Sequence, residues 1–320
     1  MGKAKYYDPN TAAYLDPNND RRVAVITGGA GGLGWYTILH LYLHGYVVYM
    51  AARNPSKVQK AIDEIKAEAH KRSTGHTFGE INHVQMDLMS LDSVKTASQE
   101  LAKAEPKIDI LINNAGIMGV PFDVTKDGYE VQYQVNFVGH MLLTERLIPN
   151  LEAAPEARVV FLSSVGHNFA YTYFDPAKKV NRWPNAMWTW VRYGNAKAAE
   201  IQYVKYMAKQ HPRILWLAVH PGIVGGTALY DHWTKLPVLG PIFNATVKAA
   251  DAVGGVSVEE GSLSSLRAAL DQSLTAAKDN GKYLTTGGPE GCASGVASSA
   301  KNAERTVDYN YEQLKRKGFL

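Results

Sequence analysis

The chain has 320 residues, 46% of them hydrophobic and 20% charged, with 34 Lys and Arg against 30 Asp and Glu. That balance excludes a disordered or low-complexity chain, and a scattered net charge of +4 supplies no basic stripe for nucleic acid. One cysteine, Cys292, excludes a disulfide framework and a paired-thiol metal or redox site, and places the protein in a reducing, cytoplasmic setting.

Residues 1–20, rich in Asn, Asp, Pro and Tyr, read as an irregular arm with no apolar run that would make a signal peptide or an anchor. Val23-Ala24-Val25-Ile26 has the continuous apolar character of a buried parallel strand. The apolar stretch 35–52 carries His40, His44 and Gly45, so it predicts a helix over 35–44 and a strand over 46–52, not a membrane span. Pro55-Ser56 opens an amphipathic helix through Arg72, with Val58, Ile62 and Ile65 on one face. Further strands are predicted over 83–87, 108–112, 158–162, 213–219 and 281–286, and helices over 91–103, 128–148, 193–210 and 259–274. This alternation, without repeat or linker, predicts one α/β domain over 21–320: a Rossmann-like, doubly wound parallel sheet with helices on both faces. Two insertions, an aromatic one over 166–192 and an apolar one over 228–257, leave strand ends on the carboxyl edge, where open α/β sheets bind ligands.

After the first strand comes Thr27-Gly28-Gly29-Ala30-Gly31-Gly32-Leu33-Gly34. Between a strand and a helix, such a turn lets backbone approach a pyrophosphate and points a helix N-terminus at it. The second strand ends Ala51-Ala52-Arg53-Asn54: no acid is present for a ribose hydroxyl, and the Arg53 guanidinium suits a 2′-phosphate. The cofactor expected is NADP(H), although Gly31 offers no second basic group in the turn.

Thr27-Gly-x-x-x-Gly-x-Gly34, Asn113-Asn114-Ala115-Gly116 and Tyr193-x-x-x-Lys197, in that order on strand–helix junctions, resemble the short-chain dehydrogenase/reductase superfamily over roughly residues 21–290. Ser164 and Tyr193 stand 29 positions apart, a long gap that is similar to the retinol-dehydrogenase-like and WW-domain-oxidoreductase-like branch, with a fainter likeness to fungal members. The resemblance implies catalytic roles for Asn136, Ser164, Tyr193 and Lys197, with Ser163 the lesser candidate serine. It implies cofactor contacts from Gly28, Gly32, Leu33 and Gly34 in the turn, and from Asp87 at the adenine with Leu88 beside it. Asn114 and Gly116 follow from the Asn-Asn-Ala-Gly turn, and Pro221, Gly222, Val224 and Thr227 from the segment near the nicotinamide. Homodimers or homotetramers through helices flanking the sheet are common in the family.

Lys197 lies one helical turn beyond Tyr193, so the two side chains share a face, and an ammonium there would favour the phenolate of a tyrosine working as acid and base. Ser164 would hydrogen-bond the substrate oxygen. No metal is required; His140 and His167 read as structural, and His220 as a strand-end residue near the cofactor. The function expected is an NADPH-dependent reductase or dehydrogenase for a bulky, mostly apolar ketone, aldehyde or secondary alcohol. A redox-neutral epimerase or isomerase and a non-catalytic NADP(H)-sensing protein are the alternatives.

Overall fold

A strand buried on both faces needs apolar residues pointing both ways, and the apolar runs at the centre of this sheet meet that demand, while the edge strand over 80–85 mixes polar and apolar residues. The computed structural model describes residues 6–72, 75–170, 185–225 and 255–320. The strands are β1 (Val23–Thr27), β2 (Val47–Ala52), β3 (Glu80–Gln85), β4 (Ile110–Asn113), β5 (Arg158–Leu162), β6 (Leu215–Val219) and β7 (Lys282–Leu284). They form one parallel sheet in the order β3-β2-β1-β4-β5-β6-β7. Val23 and Val25 of β1 pack into one apolar layer while Ala24 and Ile26 pack into the other, as alternating side chains require.

Helices α1 (Gly32–Leu43), α2 (Pro55–Lys71) and α7 (Val258–Leu270) cover one face. The other face carries α3 (Leu91–Ala104), α5 (Gly139–Glu152) and α6 (Asn185–Gln210). A short α4 (Val131–Tyr133) runs through a π-helical turn, Gln134–Val138, into α5. The remaining helices among the described residues are α8 (Ala276–Asp279), α9 (Gly295–Ser298) and α10 (Ala300–Arg316). The sheet winds outward in both directions from β1 and β4, so their carboxyl ends form the crevice at which such sheets bind ligands. Among the described residues, no helix is long and apolar enough to cross a membrane.

Several boundaries move. β3 starts at Glu80, opposite Val47, and ends before Asp87, whose carboxylate instead accepts the Met89 N–H at 3.0 Å in a turn. α6 begins at Asn185, eight residues ahead of Tyr193, so part of the aromatic stretch expected to be irregular is helical; Thr189 is held there by the Val120 carbonyl at 2.8 Å. α7 stops at Leu270, where Asp271 turns the chain by accepting the Ser273 N–H.

The sequence reading has no counterpart for α10. Its buried positions, Ala303, Thr306, Val307, Asn310 and Leu314, follow helical spacing, but two of the five are polar and blur the apolar stripe. Those two are bonded inside: Thr306 donates to Gln202 at 2.6 Å, and Asn310 to the Tyr133 hydroxyl at 2.9 Å. α10 thereby packs against α6, one of the helices through which association is expected. Leu314 is fully buried, so Leu314→Ala should cost about 2–5 kcal/mol. Urea denaturation checks this, and a loss near zero would contradict the packing of α10.

Candidate active site

The cleft beyond the β1, β4 and β5 carboxyl ends has a volume of about 450 Å³. Its floor is the glycine turn. Gly28 and Gly32 have φ of +71° and +59°, a conformation that side chains disfavour. A Cβ on Gly34 would stand 2.6 Å from the Gly28 carbonyl oxygen and 2.7 Å from Asn114 Nδ2, so only glycine lets α1 approach β1 this closely. Gly31, ahead of α1, gives no side-chain cap, and space around it is open, leaving the helix N-terminus free for an anion. These features fit a dinucleotide.

Thr27 ties this turn to the rest of the sheet. Its Oγ1 accepts the N–H groups of Asn114 at 3.0 Å and Ala115 at 2.9 Å, which leaves the hydroxyl proton for His140 Nε2 at 2.9 Å. The proton of His140 therefore sits on Nδ1, which donates to the Asn136 carbonyl at 2.7 Å. Burial pushes His140 down to about 3, so it works as a neutral connector. Asn114 Nδ2 adds bonds to the carbonyls of Thr27 at 2.7 Å and Gly28 at 3.2 Å.

Tyr193 and Lys197 rise from α6 into the cleft, beside Ser164 at the end of β5. Ser163 Oγ donates to the Lys197 carbonyl at 2.8 Å and is buried, which leaves Ser164 as the serine that can meet a ligand. Ser164 Oγ accepts the Gly166 N–H at 3.0 Å, and a Cβ on Gly166 would come within 2.6 Å of the Tyr193 ring. Lys197 Nζ donates to the Leu162 carbonyl at 2.7 Å and to Glu200 Oε1 at 2.8 Å.

Burial raises the Tyr193 phenol, against the pull of Lys197 and a hydrogen bond with Ser164, while Glu200 adds to the rise. The ammonium expected to favour phenolate is thus outweighed by burial, and the group is held as a phenol. Burial opposes the Lys197 charge too, but Glu200 and Tyr193 hold its pKa above the ordinary lysine value.

Asn136 lies in the π-helical turn behind Gly116 and does not line the cleft. Its side chain accepts the Ile117 N–H at 2.8 Å and donates to the Ile117 carbonyl at 3.0 Å. Leu33, Pro221, Gly222 and Val224 do line the cleft, with Gly222 at φ +98°. Asp87 and Leu88 are not among the lining residues; Leu88 packs instead toward Gly139. Thr227, residues 171–184 of the aromatic insertion and nearly all of the apolar one lie outside the described residues. His167 joins Ser164 to the carboxyl-terminal segment, bonding the Ser164 carbonyl at 2.6 Å and accepting the Ser294 N–H at 3.0 Å. His220 Nδ1 accepts the Val165 N–H at 3.3 Å.

Arg53 stands exposed at the cleft edge just past β2, and Lys57 joins it from the first turn of α2. The sequence reading missed Lys57, the second basic group it sought in the glycine turn; the signal was Asn54, which caps α2 through the Lys57 N–H at 3.0 Å and turns that first helical turn toward the cleft. Glu200 was also passed over, although its i,i+3 spacing from Lys197 put it on the same helical face. Among the described residues, no three His, Cys, Asp or Glu side chains gather as a metal site.

Comparisons with known proteins agree with this geometry. A family model described as short chain dehydrogenase matches residues 22–175. An uncharacterized oxidoreductase of Schizosaccharomyces pombe is 32% identical over 84% of this chain and 78% of its own length. A short-chain dehydrogenase/reductase of Aspergillus calidoustus is 31% identical over 95% of this chain and 97% of its own. Retinol dehydrogenase 12 of Mus musculus is 31% identical over 92% and 86%. Among solved structures, an uncharacterized protein from Mycobacterium paratuberculosis shares the fold with a TM-score of 0.71 at 24% identity, over 97% of this chain and 98% of that one. With the glycine turn, Ser164, Tyr193 and Lys197 meeting in one cleft, the chain belongs to the short-chain dehydrogenase/reductase family, as an oxidoreductase of its retinol-dehydrogenase-like branch.

Proposed function

We propose that the protein is an NADP(H)-dependent carbonyl reductase or alcohol dehydrogenase acting on a bulky, mostly apolar ketone, aldehyde or secondary alcohol. The observation that carries this reading is the buried Tyr193–Lys197 pair opening, beside Ser164, into a cleft whose far end carries Arg53 and Lys57. The glycine turn and the α1 N-terminus would hold the pyrophosphate, Arg53 and Lys57 the 2′-phosphate, and Lys197 the ribose beside the nicotinamide. Bound there, NADP(H) supplies or takes the hydride. Tyr193, held as a phenol, gives its proton to the oxygen of the reduced carbonyl; Ser164 donates a hydrogen bond to the same oxygen, and Lys197 steadies the phenolate left behind.

Apolar groups around the mouth support the substrate class: Met118, Leu162 and Val224 line the cleft, while Val165, Phe169 and Ile223 stand exposed just beyond Ser164 and Gly222. Phe169 and Trp190 face one another with ring centroids 5.9 Å apart. The relatives named as retinol dehydrogenases are named for an alcohol, which supports the reaction type. The exposed thiol of Cys292 supports a reducing, cytoplasmic setting.

NADPH oxidation should be measured across aryl and cyclic ketones and small charged carbonyls; turnover confined to the charged compounds would overturn the substrate class. Tyr193→Phe should lower kcat by at least about a hundredfold without loss of NADPH binding, since a positioned general acid contributes about that much. Retained turnover would remove Tyr193 from the chemistry. Arg53→Ala should weaken NADPH by about 10- to 100-fold, the loss of a charge-assisted hydrogen bond, and leave NADH little changed. Equal weakening of both cofactors in a calorimetric titration would show that Arg53 does not read the phosphate.

A further inference from the structure

Lys197 spends two of its three N–H donors inside the protein, one on the Leu162 carbonyl and one on Glu200. Glu200 is itself fully enclosed, with 1% of its surface exposed. Its Oε1 takes the ammonium, and its Oε2 is buried without a hydrogen bond among the described residues. Ser163 stands beside the carboxyl, but its hydroxyl proton goes to the Lys197 carbonyl. A carboxylate in that position is an expensive way to fill a helix position, because burial penalises its charge and half its acceptors go unused.

We propose that Glu200 is a positioning residue of this site: its carboxyl pins the Lys197 ammonium under Leu162 and cancels part of its field, so that the Lys197–Glu200 pair, not Lys197 alone, sets the protonation of Tyr193. The idea rests on the active-site reading of Tyr193 and Lys197 and deepens it. The electrostatic argument is direct. Tyr193 and Lys197 are one turn apart on α6, and the negative charge that follows Lys197 by three residues lies on the far side of the ammonium from Tyr193 along the helix. A phenolate next to Lys197 alone sees a full positive charge; next to the ionised pair it sees a dipole.

Among the described residues, no other group facing the pair does this work. Tyr283 of β7 couples to Glu200 and Tyr193, but burial pushes its phenol up and it stays neutral. His140 of α5 feels the Lys197 charge, but burial keeps it neutral as well. His167 stacks edge-on against Tyr283, with centroids 5.2 Å apart, and burial pushes it down. Burial drives the Glu200 carboxyl itself up, to about 8, with Lys197 pulling the other way. The carboxyl is therefore ionised across the alkaline range in which a tyrosine gives up its proton, and its removal acts where it can be seen.

The test is an alkaline titration of Tyr193 in the cofactor-free protein. Phenolate absorbance is followed in the protein and in Tyr193→Phe, and their difference isolates this one tyrosine; the same pair is then measured with Glu200→Gln added. Glutamine keeps an acceptor for Lys197 and removes the charge. Glu200 Oε1 lies 2.8 Å from Lys197 Nζ, which lies 5.7 Å from the Tyr193 ring centroid, so loss of that charge at an effective dielectric near 20 should lower the Tyr193 midpoint by about one pH unit. Glu200→Asp, which keeps the charge, should return it toward the starting value. Coincident midpoints with and without Glu200→Gln would overturn the proposal, as would an equal shift from both substitutions, which a packing role alone would produce. Should Glu200→Gln fail to fold, Glu200→Met, which also removes the charge at similar length, takes its place: a lowered midpoint supports the proposal and an unchanged one overturns it. The titration needs neither cofactor nor substrate, so a protein without turnover that still shows the shift would sink the enzymatic reading and leave this one standing.

Discussion

A buried ammonium is costly unless its donors find partners, and the site is organised around that requirement at Lys197. β5 ends at Leu162, whose carbonyl accepts from Nζ at 2.7 Å. The next residue, Ser163, returns a hydrogen bond to the Lys197 carbonyl, so α6 is locked to β5 at two points within one turn. The same registration brings Tyr193 against Gly166, where no side chain larger than hydrogen fits, and beside Ser164. The geometry of the cleft here is a consequence of how one helix is pinned to one strand end.

The other half of the cleft is fixed by a hydroxyl. Thr27, the last residue of β1, is saturated by two backbone donors from the β4 turn and by His140, which in turn holds the Asn136 carbonyl. Through these bonds the glycine turn, the Asn-Asn-Ala-Gly turn and the π-helical segment keep one relative position. Asn136 thus contributes from behind the cleft wall rather than on its surface.

The parts of the fold and site that were legible in the sequence are those written in short, local patterns. Buried strands such as Val23–Thr27 are continuous apolar runs, and the glycine turn and the Tyr193–Lys197 spacing are each set by backbone geometry within a few residues. What escaped depends on longer range. Lys57 reaches the cleft because of how α2 is capped, and Glu200 looks like an ordinary acid on a helix until β5 closes over it. α10 hid because Thr306 and Asn310 are buried polar residues whose partners lie more than a hundred positions away. The Asp87 expectation rested on a strand running to that residue, whereas the pairing with β2 ends at Gln85.

NADP(H) is the cofactor we propose for this cleft. A thermal-shift titration with NADPH and NADH in parallel tests it most directly, since a ligand at about a hundred times its Kd adds about 2.7 kcal/mol, enough to move the midpoint by several degrees. The account predicts a clear rise with NADPH and a smaller one with NADH at the same concentration. Equal or greater stabilisation by NADH, or no response to either, would contradict it.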